Sequence, residues 1–281
     1  MKIAGFEFKI GADPELFIIE KATGKLVSAH GMLPGDKKNP HRVPHGAVQV
    51  DGMAAEFNID PARTVGEFVR NIKSVMASLQ EIVGDAYELR AIPTAHFGKE
   101  MIDAQPAEAK ELGCDPDYNA WNGGVNPTPN VDTPYRTGAG HVHIGWTEGQ
   151  DISLTQHKQV CEHLIRNLDL YTTPFLKLED DVLRRELYGK AGAYRPKSYG
   201  VEYRTPSNVW LTSEKNMRLM WKLVRQAIIA CVHNRGVVQA GRRDHLDLRH
   251  MYSRGRDWEW FNFDRVVPRV LKQAVGDENY V

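Results

Sequence analysis

The sequence contains few cysteines and no long hydrophobic run. Its 281 residues include only three cysteines, Cys114, Cys161 and Cys231, and an odd number of widely spaced cysteines does not form a disulfide framework. No apolar run approaches the roughly 18 residues of a membrane-spanning helix. The first residues, MKIAGFEFKIGADPE, lack the apolar core of a signal peptide. These absences predict a cytoplasmic protein with no membrane partner.

An excess of charge of one sign is also absent. Lysine plus arginine and aspartate plus glutamate each number 36, so the formal net charge is zero and we expect no nucleic-acid partner. The chain lacks the motifs GxxxxGK[ST], GxGxxG before a helix, and HExxH. Hydrophobic residues make up 42% of it, and no linker or repeat divides it. This composition predicts one α+β domain over residues 1–281.

Two histidines one residue apart stand out in GAGHVHIGW, residues 138–146. Side chains alternate between the faces of a β-strand, so His141 and His143 would share one face and the apolar residues between them the other. The flanking glycines are Gly138, Gly140 and Gly145. Their lack of side chains predicts a polar face that a ligand can approach closely.

The same spacing of polar residues recurs in three further strand-like segments. The pairs are Asp13 and Glu15 in GADPELFII, Glu56 and Asn58 in MAAEFNI, and Glu202 and Arg204 in GVEYRT. Together they predict one sheet with a face of carboxylates and imidazoles and an apolar back. Isolated carboxylates are costly when buried, so several together require cations. Oxygen-rich sites suit Mg²⁺ or Mn²⁺, although each carboxylate could instead form a structural ion pair, such as Glu202 with Arg204.

The spacing of apolar residues predicts helices that cover the apolar back of this sheet. One follows a capping box formed by Thr64 and Glu67 and ends at Gly84. Another is capped by Ser213, and an amphipathic helix is expected around residues 266–275.

A further long helix is predicted after the histidine segment. Ser153 and Gln156 are its candidate caps, Val160 belongs to its expected buried stripe, and it runs to about Leu178 unless Pro174 breaks it. Near the amino terminus, residues 5–20 are expected to form two strands joined through GADPE, and ELRAIPTAHF is expected to form one strand.

Three irregular segments are candidates for covering or binding a ligand. Residues 30–46 and 103–137 exceed the usual length of a connection, which favours a flap or lid. The first is either a solvated loop, the interpretation favoured for its histidines His30, His41 and His45, or a basic flap over phosphates. The cations of that flap would be Lys37, Lys38 and Arg42. Residues 179–200 carry arginines and lysines among glycines, which suits an anion clamp but also an ordinary surface loop.

Taken in order, GADPELFII, VDGMAAEFNIDP, GAGHVHIGW and RRELYGKAGAYRPKSYGVEYRTPSNVW resemble the phage-associated COOH·NH2 ligase-type 2 amidoligases. That family is similar to glutamine synthetase and glutamate–cysteine ligase. The resemblance covers about residues 11–210 and leaves a helical part at 213–281. It implies an α+β fold in which a mainly antiparallel sheet curves into a half-barrel with helices on its back. It also implies ATP-dependent amide formation with Mg²⁺ or Mn²⁺.

The resemblance also implies roles for individual residues. The metal ligands would be Glu15, Glu56, Glu202, His141 and Asp13, the last of which belongs to Asp-Pro-Glu where the family's relatives carry Glu-x-Glu. His143 would be a second histidine ligand or an ATP contact. Arg204 would face phosphate or the substrate carboxylate. The further candidates for phosphate are Arg184, Lys190, Arg195 and Lys197.

The sequence thus predicts an ATP-dependent carboxylate–amine ligase that works through an acyl phosphate, in the host cytoplasm if the chain is phage-encoded. Its substrates would be small molecules or peptides, and the protein could be a homo-oligomer. Two alternatives remain open. One is a zinc hydrolase that uses the HVH motif, and the other is a non-enzymatic phage-associated binding protein.

Overall fold

An antiparallel sheet forms the centre of the computed structural model, which describes residues 1–110, 117–128, 132–176, 178–179 and 183–233. In this part of the chain the strands are β1 (Lys2–Ile3), β2 (Phe6–Glu7), β3 (Lys9–Glu20), β4 (Lys25–Val27), β5 (His41–Val43), β6 (Gly46–Asp51), β7 (Ala54–Ile59), β8 (Tyr87–Arg90), β9 (Thr94–His96), β10 (Tyr118–Asn119), β11 (Tyr135–Thr137), β12 (Gly140–Gly145), β13 (Ala193–Lys197) and β14 (Gly200–Tyr203). The helices are α1 (Val65–Val83), α2 (Lys99–Asp103), α3 (Ala107–Lys110), α4 (Thr155–Tyr171), α5 (Thr173–Leu176), α6 (Leu183–Leu187) and α7 (Glu214–Val232), with a 3-10 helix at Asn208–Thr212.

Ten of these strands form one sheet that curls into a half-barrel. Its path runs β10-β13-β14-β12-β3-β7-β6-β5, and β4 and β8 pair with the far end of β3. The ladders among the described residues are antiparallel, and α1, α4 and α7 pack against the apolar back. The predicted α+β class and half-barrel are therefore confirmed. None of the helices in the described ranges combines the length and apolar character needed to cross a bilayer.

The central strand β3 is continuous, so the prediction of two strands joined through GADPE is wrong. Pro14 lies in its middle, opposite Gly140 at the end of the ladder with β12. The ladder with β7 begins only at Glu15. Proline has no N–H to donate, but Pro14 lies where the ladder with β12 ends and the ladder with β7 begins, so its missing N–H interrupts neither ladder. The strand can therefore pass straight through the acidic motif.

Helix α1 forms as predicted. The Thr64 hydroxyl accepts a hydrogen bond from the Glu67 N–H, the Glu67 carboxylate accepts one from the Thr64 N–H, and the helix ends at Gly84. Ser213 likewise caps α7 by accepting a hydrogen bond from the Asn216 N–H. These local signals depend on neighbouring residues alone, which is why the sequence predicts them well.

Helix α4 differs from its prediction at both ends. It begins after Leu154, because Ser153 hydrogen bonds to Asp151 in the preceding turn and does not cap the helix. It ends at Tyr171, three residues before Pro174, and the short helix α5 follows. Val160 is 45% exposed and so does not belong to the buried stripe, which includes Leu164, Leu168 and Tyr171.

One other predicted strand is divided in two, and some predicted elements lie outside the described residues. The segment ELRAIPTAHF forms two strands, because β8 pairs with β3 whereas β9 leaves the main sheet and pairs with β11. The described parts of residues 103–137 contain only short elements between irregular stretches. Cys114 and the helix expected around 266–275 lie outside the described residues.

Two of the glycines beside the histidines do not open the polar face. Gly138 and Gly140 point to the opposite side, where a β-carbon on Gly138 would collide with Asn208 and one on Gly140 with the Ser207 carbonyl and the Trp210 indole. These glycines therefore allow the 3-10 helix segment to pack closely. Gly145 alone fits the prediction, since it lies on the face of His143.

This packing predicts that Gly140→Ala destabilises the fold. Overpacking a core costs roughly 1–3 kcal/mol, and the colliding carbonyl is backbone, so we expect about 2 kcal/mol or more in urea unfolding. Gly145→Ala is the matched control in the same strand, because its β-carbon would lie 3.5 Å from the nearest atom, an ordinary contact. Equal stabilities of the two variants would contradict this packing.

Candidate functional site

The strand register brings the predicted pairs of polar residues onto one face of the sheet. The cross-strand neighbours are His141 with Asp13, His143 with Glu202, and Glu15 with Glu56. Directly opposed residues in a ladder point to the same side. The carboxylates and imidazoles therefore form one continuous polar surface across β14, β12, β3 and β7, as the alternation in the sequence predicts.

Asp13, His143 and Glu202 converge most closely. Each offers one ligand-type atom, and these atoms all lie within 4.8 Å of one another. His143 Nε2 is 2.7 Å from Asp13 Oδ1, yet neither atom has a partner in hydrogen-bond geometry within the described ranges. Burial raises the pKa of Asp13, but the charges and hydrogen bonds of His143 and His141 together outweigh burial and hold that pKa well below its usual value. Asp13 Oδ1 on β3 and His143 Nε2 on β12 thus approach the same point from neighbouring strands.

His141 lies beside this group and is almost completely buried. Its Nδ1 is 3.5 Å from Asp13 Oδ1 and 3.6 Å from Glu202 Oε1, while its Nε2 is 3.2 Å from the Tyr188 hydroxyl. Burial, with the charge of Arg204 as the next cause, lowers the pKa of His141 to about 3. The ring is therefore neutral at neutral pH and can offer a lone pair. The role of His141 as a metal ligand stays a prediction, and the geometry is equally compatible with His143 as a ligand.

Glu15 and Glu56 form a second acidic group next to Asp13. Glu56 accepts a 2.6 Å hydrogen bond from Gln49. Burial, followed by the charge of Asp51, raises the pKa of Glu15 to about 7 and raises that of Glu56 well above its usual value. Two opposed carboxyl groups, Glu56 buried and Glu15 half-buried, with raised pKa values are the arrangement that a divalent cation would stabilise.

Three cations surround Glu202. Lys197 Nζ lies 2.8 Å from Glu202 Oε2, Arg204 Nη1 bonds to Glu202 Oε1, and Arg195 Nη1 is 3.9 Å from the same oxygen. Asp117 holds the arginines from the other side, at 2.6 Å from Arg204 Nε and 3.7 Å from Arg195 Nε. The predicted phosphate candidates on β13 and after β14 therefore do reach the acidic group.

Arg184 and Lys190, two further phosphate candidates, have different surroundings. Arg184 is fully buried, and its guanidinium donates to the backbone carbonyls of Gly138, Thr205 and Pro206 at 2.9–3.0 Å. Lys190 lies in the turn before β13, and within the described ranges no ion pair joins it to Glu202. The surroundings of Arg184 favour a structural role over the predicted contact with phosphate.

The loop at residues 30–46 touches the site through one lysine. Lys37 Nζ lies 2.7 Å from Asp51, whose charge raises the pKa of both Glu15 and Glu56. Arg42 instead pairs with Asp60. His41 and His45 are exposed, whereas His30 is half-buried. The interpretation of solvated histidines therefore agrees with the structure for His41 and His45, while Lys37 agrees with the alternative of a basic flap.

A cavity of about 540 Å³ opens beside the converging atoms. Asp13 and His143 line it, and Trp146, Tyr199 and Ile59 contribute apolar surface to its wall. A space of this size holds a small molecule or the end of a peptide.

This donor set fits a hard divalent cation. Most of its ligand atoms are carboxylate oxygens, only one or two are imidazole nitrogens, and neither described cysteine, Cys161 or Cys231, belongs to the group. Such sets suit Mg²⁺ or Mn²⁺, whereas zinc prefers sites rich in histidine and cysteine. The open hydrogen-bonding positions of Asp13 Oδ1 and His143 Nε2 are consistent with that fit.

Several site residues were missed at the level of sequence. Gln49 and Asp51 in VQVD have the same two-residue spacing as the predicted pairs, which could have identified them. Asp117 comes from an irregular segment and Tyr199 from a hairpin turn, where no strand periodicity applies. Only the three-dimensional fold brings these two to the site.

Comparison with known proteins agrees with the resemblance in the sequence. No curated protein is similar enough to count as a match. The model of one family, described as phage phiEco32-like COOH.NH2 ligase-type 2, matches residues 112–259, just over half of the chain. The match contains both histidines, Glu202 and the surrounding cations, whereas β3 and β7 precede it. The chain therefore belongs to the phage phiEco32-like COOH.NH2 ligase-type 2 family.

Proposed function

We propose that the protein is an ATP-dependent ligase that joins a carboxylate to an amine through an acyl phosphate. The observation that carries the proposal is one polar sheet face on which buried carboxylates converge beside a cluster of cations. The family name supports an enzyme that forms amide bonds. The half-barrel agrees with a distant relationship to glutamine synthetase, which we include in the proposal, and the need for ATP points to the host cytoplasm.

The chain would hold its metal ions with the two acidic groups. Asp13, His143 and Glu202 form one group, with His141 adjacent, and Glu15 with Glu56 forms the other. Bound there, Mg²⁺ would neutralise charge on the phosphoryl group during its transfer. The buried backs of these strands keep the ligands in fixed positions, which lowers the cost of organising the site.

The surrounding cations would stabilise the phosphates. Lys197, Arg195 and Arg204 each face Glu202, and a nucleotide would offer them oxygen atoms in its place. In the reaction a substrate carboxylate oxygen attacks the γ-phosphorus and ADP leaves. The amine nitrogen then attacks the carbonyl carbon, and phosphate leaves with that oxygen.

Water must be excluded while the acyl phosphate exists, because hydrolysis would waste it. The cavity beside Asp13 would seat one substrate away from bulk solvent, and Lys37 would draw the loop at residues 30–46 toward the acidic face.

We expect Asp13→Asn and Glu202→Gln each to weaken Mn²⁺ binding at least tenfold and to abolish ATP consumption. Each substitution keeps the shape of the side chain but removes a ligand charge. Mn²⁺ binding is followed by electron paramagnetic resonance, and ADP formation with pools of amino acids and peptides. Glu81→Gln, on the exposed side of α1, is the control. Tight zinc at one ion per chain would instead favour the hydrolase, and unchanged function in both variants would favour a binding protein.

Oxygen-18 in the substrate carboxylate tests the acyl phosphate directly. If the proposal is correct, one labelled oxygen appears in the released phosphate, and the product has the mass of both substrates less one water. Mass spectrometry of phosphate and product measures both. Product that forms while the released phosphate carries no label, because the lost oxygen appears in AMP or in water instead, would reject this intermediate.

Lys197→Met is expected to raise the KM for ATP about tenfold, because one charged contact to phosphate is worth roughly 1.5–3 kcal/mol before solvent screening. Affinity for Mn²⁺ should fall much less, since Lys197 is not a ligand. Lys73→Met on the surface of α1 is the control. An unchanged KM for ATP in Lys197→Met would remove this lysine from the proposed site.

A further inference from the structure

Each of the two site histidines has a tyrosine hydroxyl on the ring nitrogen that faces away from the carboxylates. For His143 this is Tyr199, whose hydroxyl bonds to Nδ1 while Nε2 lies 2.7 Å from Asp13 Oδ1. The two rings are 6.0 Å apart, centre to centre. The hydroxyl therefore decides which way the imidazole of His143 faces.

The turn that carries Tyr199 is firmly held. Its carbonyl accepts hydrogen bonds from the N–H groups of Trp146, at 2.9 Å, and Thr147, at 3.2 Å. The next residue, Gly200, packs so tightly that a β-carbon there would collide with the Ile144 carbonyl and the Trp146 ring. The β13–β14 turn is thus fixed to the end of β12, the strand that carries His143.

We propose that Tyr199 is a positioning residue that fixes the imidazole of His143 for binding a divalent cation through Nε2. The proposal rests on the proposed function and deepens it by adding a support to the metal site. A ring that uses Nε2 as ligand carries its proton on Nδ1, and the Tyr199 oxygen is placed to accept that hydrogen bond.

Tyr199→Phe tests the proposal by direct Mn²⁺ binding, which needs neither ATP nor a known substrate. Losing the partner of a metal-bound histidine typically costs 10–100-fold in affinity, so we expect a Kd about tenfold higher. Tyr194→Phe is the matched control, because it removes a hydroxyl from the same hairpin on the opposite face, where the group is 3.5 Å from Glu162.

A second measurement separates positioning from general stability. Pulsed electron paramagnetic resonance detects nitrogen coupled to bound Mn²⁺, and we expect this coupling to be lost in His143→Ala and changed in Tyr199→Phe, with melting temperatures of the tyrosine variants close to the parent. An unchanged affinity in Tyr199→Phe, or an equal loss in both tyrosine variants, would overturn the proposal. If the parent protein binds no Mn²⁺, the proposed metal site is rejected and the role of Tyr199 with it. If Mn²⁺ binds equally well to the parent and to Tyr199→Phe, only the role of Tyr199 is rejected and the proposed function is unaffected.

Discussion

The burial of several carboxylates on one face of a sheet is the constraint on which this structure depends. A buried carboxylate without a partner is costly, and Glu56 and Glu202 are both more than nine-tenths buried. Strand β3 connects the two acidic groups, since it lies between β12 and β7. It places Asp13 beside β12 and Glu15 beside β7. The rest of the fold can be understood as the means by which this face is compensated and held in place.

The two halves of the face are compensated differently. Around Glu202 the compensation is cationic, through Lys197 and Arg204. Between Glu15 and Glu56 no such cation pairs with the carboxylates in the described ranges; Gln49 donates a hydrogen bond to Glu56, and burial raises the pKa of both carboxyl groups, which favours their neutral forms. A metal ion would replace cations in the first half and protons in the second. The first half then has charged side chains to offer to phosphates, which is why the proposed phosphate contacts belong there.

Sequence periodicity predicts what depends on a single strand or helix. The two-residue spacing correctly placed the carboxylates and histidines on one face, and the capping box correctly bounded α1. Periodicity gives no information on residues that reach the site from turns, so Asp117 and Tyr199 were missed. It also misjudged Gly140, because the reason for that glycine lies in Ser207 and Trp210, far along the chain. The assignment of individual metal and phosphate roles remains a prediction.

The buried arginine of the basic segment connects these observations. Arg184 donates to the carbonyls of Gly138, Thr205 and Pro206, so it binds the start of β12 to the segment after β14. The neighbouring Ala139 then exchanges hydrogen bonds with Glu15, since its N–H donates to the Glu15 carboxylate and its carbonyl accepts from the Glu15 N–H, both at 2.9 Å. Because β12 carries both histidines, a shift of its first residues would move the acidic and imidazole groups apart. The buried guanidinium of Arg184 therefore helps to set the geometry of the acidic and imidazole groups through the backbone that it holds.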